Sequence, residues 1–263
     1  MSDDFLIYLS LLIPSFLSIL GSVSIIFLYI KHKRLRGFAG STILILTIFD
    51  LGGSISQALP FNLNAPDSIL CELQAGFIVF FNLCTMIWLT NISLMIYLQV
   101  TESAIEPRSY MKISFYIIVL ISFIVSLIPF MFNAYTSTDG QCWVKQIHWR
   151  FGIYFIPLWC CIGIIATILT LTAKKFNSSV YDMSFINRIK FYPVIMLVIF
   201  LPITVVRIIQ ILGVDPPLWV KMIAYFFFKL DGFCNSLIFG MTKQVKEILG
   251  SEKVSLVNFY QDE

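Results

Sequence analysis

Charged residues are scarce in this sequence. Asp, Glu, Lys and Arg together make up 13% of its 263 residues, whereas ordinary soluble domains carry about 25%. Hydrophobic residues make up 58%, and they include 25 phenylalanines. A chain with so few charges and long apolar runs belongs to the membrane class, so the composition indicates a membrane protein.

Histidine is nearly absent as well. The only two, His32 and His148, fall on opposite sides of the membrane in the topology derived below, so we expect no histidine-based metal site. The sequence also lacks a nucleophile–base set and a glycine-rich loop that would cradle a phosphate. We therefore expect that the protein is not an enzyme and that it holds no cofactor and no metal.

Seven apolar runs take up most of the chain, and about 20 apolar residues in helical geometry cross a bilayer. The runs cover residues 5–30, 41–60, 71–100, 113–133, 151–173, 189–212 and 218–241. No alternation with the period of a barrel strand is visible. The acidic start, MSDD, and the length of the first run indicate a first transmembrane helix and not a cleavable leader. We predict an all-α fold in which residues 1–241 form a seven-transmembrane helix bundle.

The positive charges predict the orientation of this bundle. Three basic residues, Lys145, Arg150 and Lys221, lie in or beside the loops on one side. The loops on the other side hold a much larger set: Lys31, Lys33, Arg34, Arg36, Arg108, Lys112, Lys174, Lys175, Arg188, Lys190, Lys243, Lys246 and Lys253. Since basic loops stay in the cytoplasm, the N-terminus is predicted to be outside and the C-terminus inside. The same placement in short membrane loops argues against a nucleic-acid partner.

The segment after the seventh run, MTKQVKEILG, predicts a helix that lies in the membrane interface. Val245, Ile248 and Leu249 share one helical face with Met241, and Gly250 would end the helix. We expect residues 242–263 to form this cytoplasmic amphipathic helix and a short tail.

The third run, residues 71–100, is predicted to be the central helix of the bundle. Its small and polar residues favour contact with other helices over contact with lipid. Cys71 at its start has one obvious mate, Cys142, in a polar loop on the same predicted outer side. Because that side is oxidising, we predict a disulfide between Cys71 and Cys142.

Four ionisable residues lie within the predicted spans: Asp50, Arg207, Lys229 and Asp231. Each is costly in a bilayer, so we expect them to face the bundle interior and to pair. Lys229 and Asp231 are two apart on one helix and point to different sides, so one of them is expected to meet Asp50 or Arg207. The pairing could simply fix helix register, or it could serve ligand binding or a conformational switch.

Several short motifs carry a family resemblance. The segment Gln141–Gly152, QCWVKQIHWRFG, is similar to the turn and entry into helix five of the cyclic-AMP-receptor-like family of G-protein-coupled receptors. Further likenesses lie in the second inner loop and in helices six and seven: Glu106, Pro107, Tyr110, Phe191–Tyr192, Val206–Ile208, Gly232–Phe233 and Ser236. The resemblance covers about residues 15–250.

Two departures from rhodopsin-like receptors favour this branch. Ile96–Leu98 replaces the D-R-Y triplet, and Asn235–Phe239, NSLIF, is all that remains of the N-P-x-x-Y motif. Neither motif is expected in the cyclic-AMP-receptor-like family.

The resemblance implies a plasma-membrane receptor that binds a small extracellular ligand and signals to a heterotrimeric G protein. The family's founding members recognise a cyclic nucleotide and carry arginines matching Arg150 and Arg207. With Lys229, these residues would make a descending cationic path for an anionic ligand.

Two further groups of residues are assigned roles in this hypothesis. The intramembrane polar switch would consist of Asp50, Asp231, Asn235 and Ser236. The rim that faces the G protein would consist of Lys174, Lys175, Arg188 and Lys190, and the alternative for these basic residues is that they only set topology against anionic lipid.

Three other functions stay open at this point. A small transporter or channel and a structural subunit of a membrane assembly both fit a bundle of apolar helices. A retinal-binding light receptor is the third, because Lys229 precedes Asn235 by the spacing found in opsins. Against that reading, Gln74 stands where opsins resembling vertebrate pigments place a counter-charge carboxylate.

Overall fold

The computed structural model of the chain describes residues 3–60, 68–101, 106–138, 140–176, 191–242 and 245–247, which are predominantly helical. The helices are α1 (Asp3–Lys31), α2 (Phe38–Ala58), α3 (Ile69–Val100), α4 (Pro107–Met131), α5 (Ile156–Phe176), α6 (Phe191–Ile211), α7 (Leu218–Phe228) and α8 (Asp231–Gly240). A 3-10 turn, Lys33–Leu35, follows α1. One α-helical turn, Ile147–Arg150, and a π-helical segment, Phe151–Phe155, lead directly into α5.

Five helical stretches in the described residues are long and apolar enough to cross a membrane. They are α1 to α4 and the continuous helix Ile147–Lys175, and α7 with α8 makes a sixth if the bent pair is one span. The described apolar part of α6, Val198–Ile211, is shorter. The predicted all-α membrane bundle is therefore confirmed, and six of the seven predicted runs each overlap one helix, whereas the last run contains both α7 and α8. The count of seven crossings and the orientation remain predictions.

Helix α3 is the centre of the bundle. It contacts α2, α4, α5 and both strands of a small hairpin, and 61% of its most apolar window is buried, against 28–39% for the other long spans. The remaining helices pack in sequence around it: α4 contacts α2, α1 contacts α2, α7 and α8, and α6 contacts α5, α7 and α8.

Local sequence signals explain several helix ends. Ser68 caps α3, since its hydroxyl oxygen accepts a hydrogen bond from the Cys71 N–H at 3.3 Å. Pro107 stands in the first turn of α4, where its missing N–H is not needed. At the end of α1 the Arg36 guanidinium donates to the Ile30 carbonyl at 2.5 Å, which satisfies one of the carbonyls left open by the helix.

The polar loop between α4 and α5, which holds Cys142, contains a β-hairpin. Strand β1 (Tyr135–Thr138) pairs antiparallel with β2 (Gln141–Val144), in a register that sets Thr138 opposite Gln141. Gly140 has a φ of +69°, a left-handed conformation that favours glycine in tight hairpin turns. Because the Asp-Gly pair at 139–140 is a known hairpin signal, this element could have been predicted from the sequence.

The last span was predicted as one helix over 218–241, and the structure corrects this. The chain bends by 42° between α7 and α8, with Lys229 and Leu230 at the break. No proline lies within this segment, so the bend needs another physical cause.

Candidate functional site

A serine of α1 causes the break in the last span. In a continuous helix the Phe233 N–H would donate to the Lys229 carbonyl four residues earlier. The Ser18 hydroxyl instead donates to the Lys229 carbonyl at 2.8 Å, and it accepts the Phe233 N–H at 3.2 Å. A side chain inserted into the backbone ladder in this way is a recognised cause of sharp helix kinks.

Asp50 of α2 holds three helices together beside this break. Its carboxylate accepts the Thr85 hydroxyl of α3 at 2.9 Å and the Asn235 side-chain amide of α8 at 2.8 Å. Asp50 is 5% exposed, and Thr85 and Asn235 are also buried. Hydrogen bonds that are buried in a low-dielectric interior are stronger than those exposed to water, so this link resists separation of α2, α3 and α8.

Lys229 and Asp231 stand at the two helix ends created by the break. Lys229 follows the last residue of α7, and Asp231 is the first residue of α8. A cation is favoured at a helix C-terminus and an anion at an N-terminus. The bend thus gives each of these charges a helix end of opposite polarity, which a continuous helix would not do.

The expected meeting of Lys229 with Asp50, both in the described part of the chain, takes the form of an electrostatic interaction between the two side chains, without a direct salt bridge between them. The Lys229 ammonium nitrogen lies 4.7 Å from the centroid of the Phe228 ring, and its side chain is buried. Asp50 is occupied by Thr85 and Asn235, so hydrogen bonds and helix ends replace the expected salt bridge.

A small cavity adjoins this cluster. Its volume is about 10 Å³, and its polar lining comes from Asn82, Thr85, Asp231 and Asn235. A space of this size holds about one water molecule, whereas pockets for organic ligands measure about 300–1,000 Å³. The polar cluster is therefore suited to joining helices and not to enclosing an organic ligand.

Arg207 of α6 lies in a separate polar group nearer the predicted outer side. Its guanidinium donates to the Gln210 side-chain oxygen at 2.7 Å and to the Tyr225 hydroxyl at 2.6 Å. The side chain is 1% exposed, and its guanidinium carbon is 5.3 Å from the centroid of the Tyr225 ring. These contacts tie α6 to α7.

An open cavity of about 310 Å³ lies beside Gln210, between the hairpin and the turn after α6. Its lining is polar in large part and includes Lys145, Arg150, Gln210 and Asp215. The carboxylate of Asp215 forms an ion pair with Lys221. Unlike the small cavity, this space is large enough for a small organic ligand.

Arg150 at this cavity is engaged with the hairpin. Its guanidinium donates to the Val144 carbonyl at 2.6 Å, to the Thr138 hydroxyl at 3.0 Å and to the Lys145 carbonyl at 3.3 Å. The residue is 5% exposed. The expected cationic path therefore has its members in three different settings: Arg150 on the hairpin, Arg207 on Tyr225, and Lys229 at the helix break.

The predicted disulfide between Cys71 and Cys142 is confirmed. Their Cα atoms are 5.3 Å apart, and both residues are fully buried. Cys142 lies in β2 and Cys71 in the first turn of α3, so the bond fixes the hairpin to the mouth of the central helix.

The residues assigned to the inner rim are only partly described. Lys174 and Lys175 are exposed at the end of α5, whereas Arg188 and Lys190 lie outside the described residues. Of the segment 242–263, the described residues are Thr242 and 245–247. Val245 is buried there and packs with Ile25, Leu35 and Phe239.

The sequence did not predict the contacts of Ser18 with the last span or of Tyr225 with Arg207. Ser18 and Tyr225 are single polar residues in apolar runs, and neither belongs to a motif. A polar residue in a span indicates contact with other helices, but it does not name the partner.

The fold and the polar cluster define a class: a multi-pass α-helical membrane protein whose spans are joined by buried polar side chains. The model of the slime mold cyclic AMP receptor family matches residues 1–258. The chain belongs to this family.

Three relatives from Dictyostelium discoideum illustrate the likeness. Cyclic AMP receptor-like protein A is 25% identical over 252 residues, with 92% of this chain and 65% of the relative covered. Cyclic AMP receptor 2 is 26% identical over 245 residues, covering 87% and 65%. Cyclic AMP receptor 4 is 25% identical over 252 residues, covering 89% and 56%. The chain thus spans less than two thirds of the length of these relatives.

Proposed function

We propose that this chain is a cell-surface receptor that binds a small extracellular ligand and signals to a heterotrimeric G protein. The observation that carries the proposal is the match to a receptor family over residues 1–258. Residues 1–241 would form the receptor domain in the plasma membrane, with the N-terminus outside, and 242–263 would form the cytoplasmic helix and tail. The charge bias of the loops supports this orientation.

The signal would pass through the polar cluster at the break in the last span. Ser18, Asp50, Thr85 and Asn235 connect α1, α2, α3 and α8 by hydrogen bonds. A ligand that binds one packing of these helices more tightly than another shifts the population toward it. The bend contains a single inserted hydroxyl, so loss of this contact would let the last span straighten, and a ligand would select between the two packings.

The ligand would be anionic and would enter by the open cavity. Two relatives are named cyclic AMP receptors, which makes a cyclic nucleotide the first candidate. Lys145 and Arg150 line the cavity, and Arg207 lies behind Gln210. A guanidinium binds a phosphate or carboxylate in a bidentate manner. Neither Lys229 nor Arg207 lines this cavity. Lys145 and Arg150 would therefore meet the ligand, and Arg207 would act through its hydrogen bond to Gln210, which does line the cavity.

The inner rim would dock the G protein through basic side chains. Lys174 and Lys175 are exposed, and Arg188 and Lys190 follow in the same predicted inner loop. Replacing all four by glutamine should weaken signalling while leaving membrane insertion unchanged. Normal signalling by a correctly inserted variant would leave these residues the role of setting topology.

The receptor proposal is tested by nucleotide exchange on purified heterotrimeric G proteins in vesicles that contain the full chain. Cyclic AMP, other cyclic nucleotides and a set of small anions serve as probes. Arg207→Gln should raise the concentration for half-maximal exchange at least tenfold, and Arg207→Lys should do so less. Arg108→Gln is the control, because it removes an exposed arginine that does not line the cavity. A response of Arg207→Gln within threefold of wild type, at equal insertion, would remove Arg207 from the ligand site.

A further inference from the structure

A groove with no assigned role runs along the outside of the bundle between α1 and α8. It has a volume of about 320 Å³, and its α1 wall is built from Leu17, Leu20, Gly21, Ser24, Ile25 and Leu28. These positions follow the spacing of one helical face. The opposite wall is built from Phe233, Ser236, Phe239, Gly240 and Val245.

Small residues at the bottom of the groove allow α1 and α8 to approach each other closely. A methyl group at Gly21 would overlap the Ser236 hydroxyl, so glycine is needed for α1 and α8 to approach each other. The hydroxyls at Ser24 and Ser236 are bonded to backbone carbonyls of their own helices, at 2.8 and 2.6 Å. The groove is therefore apolar in character although two of its lining residues are serines.

Positive charge lies at one end of the groove. Lys31 follows Leu28 by three residues and so continues the same face of α1, and it is exposed. Lys246 is exposed next to Val245, which closes the groove at this end. In the predicted orientation this end faces the cytoplasmic leaflet, where anionic lipids are concentrated.

We propose that the groove holds one anionic phospholipid as a resident ligand, with an acyl chain between α1 and α8 and the headgroup at Lys31 and Lys246. The apolar walls fit a hydrocarbon chain, and the two cations fit a phosphate. Basic sites between membrane helices on the cytoplasmic side bind anionic headgroups in this way. The inference uses the predicted orientation and does not depend on receptor activity.

The test uses the full chain in vesicles of equal parts phosphatidylcholine and phosphatidylserine, followed by mild detergent extraction and native mass spectrometry. Wild type should retain one phosphatidylserine, at least fivefold enriched over phosphatidylcholine. Ser24→Trp fills the groove and should lower retention at least fivefold. Val23→Trp is the matched control, because Val23 is exposed on α1 but does not line the groove, and it should retain the lipid.

Charge variants test the headgroup site separately and leave the walls intact. The double variant Lys31→Gln and Lys246→Gln should bring the two lipids to within twofold of equal retention. Arg108→Gln with Lys112→Gln, exposed on the same predicted side, should keep the preference. Equal retention of both lipids by wild type, or equal retention by Ser24→Trp and Val23→Trp, would overturn the proposal. If wild type is a dimer and Ser24→Trp makes it a monomer, the groove is occupied by a second copy of the chain, and the lipid proposal is overturned as well.

Discussion

The hydroxyl of Ser18 occupies the place of a backbone hydrogen bond made by Lys229. It donates to the Lys229 carbonyl at 2.8 Å and accepts the N–H of Phe233 at 3.2 Å. One side chain of the first helix thereby satisfies two of the backbone groups that the break in the last span leaves open. The bend of 42° therefore depends on a contact with α1 and is not a property of the last span alone.

Replacing Ser18 by alanine should destabilise the bundle. The Lys229 carbonyl and the Phe233 N–H would lose their buried partner, which costs about 1–3 kcal/mol. Ser22→Ala is the matched control, because Ser22 is on the same helix and buried, with a hydroxyl that has no hydrogen-bond partner in the described structure. Thermal unfolding in detergent should give a lower midpoint for Ser18→Ala. Equal midpoints for the two variants would contradict the assigned role.

Asp50 and Asn235 should show energetic coupling. Their hydrogen bond is 2.8 Å long and buried, and residues that share a network have coupling energies of about 0.5–3 kcal/mol. Asp50→Ala, Asn235→Ala and the double variant form the cycle, measured by thermal unfolding. Asp50→Ala with Tyr110→Phe is the control cycle, because the Tyr110 hydroxyl bonds to Asn91 instead. If the effects of the single variants on unfolding are additive in both cycles, Asp50 and Asn235 do not stabilise the contact between α2 and α8.

Arg150 should be required for the hairpin to stay on the bundle. Its guanidinium binds the carbonyls of Val144 and Lys145, and a glutamine cannot reach the same set. We expect Arg150→Gln to speed amide hydrogen exchange in β1 and β2 at least tenfold, as local opening becomes easier. Lys145→Gln, an exposed change in the same loop, should leave exchange within twofold. Unchanged protection in Arg150→Gln would free this arginine for a purely ligand-binding role.

The helices could be predicted from the sequence because the signal for a membrane span is local. A run such as residues 71–100 carries its own apolar length, and helix α3 covers Ile69–Val100. The disulfide could also be predicted from the sequence, since Cys71 and Cys142 lie on the same predicted outer side and the other cysteines lie within the spans. The hairpin could also have been predicted, since the Asp-Gly pair at 139–140 is typical of a tight hairpin turn.

The contacts of the polar cluster could not be predicted in the same way. Ser18 and Phe233 are 215 residues apart, and Asp50 and Asn235 are 185 apart. The cost of a buried charge indicates that a partner exists, but it does not distinguish a salt bridge from a hydrogen bond or a helix end. For this reason the sequence could not show that Asp50 accepts hydrogen bonds from the neutral donors Thr85 and Asn235 while it interacts with Lys229 without a direct salt bridge.

Tyr135 should make the stability of the hairpin region depend on pH at alkaline values. Its hydroxyl donates to the Ser126 carbonyl at 2.9 Å, and burial raises the pKa of this hydroxyl above its ordinary value of 10.0. The folded state therefore holds its proton more tightly than the unfolded state. The resulting stability is fully present below about pH 10 and is lost as pH rises from there toward the folded pKa.

Tyr135→Phe removes both the hydrogen bond and the ionisable group. Near neutral pH the variant should be less stable by about 0.5–1.5 kcal/mol, the usual worth of such a bond. As pH rises through about 10, wild type should lose stability faster, so the difference in unfolding midpoint should narrow. Phe130→Leu is the control, because the Phe130 ring lies 4.7 Å from that of Tyr135 and has no ionisable group. Its difference from wild type should stay constant with pH. A constant difference for Tyr135→Phe would mean that this hydroxyl ionises as readily in the folded protein as in the unfolded chain.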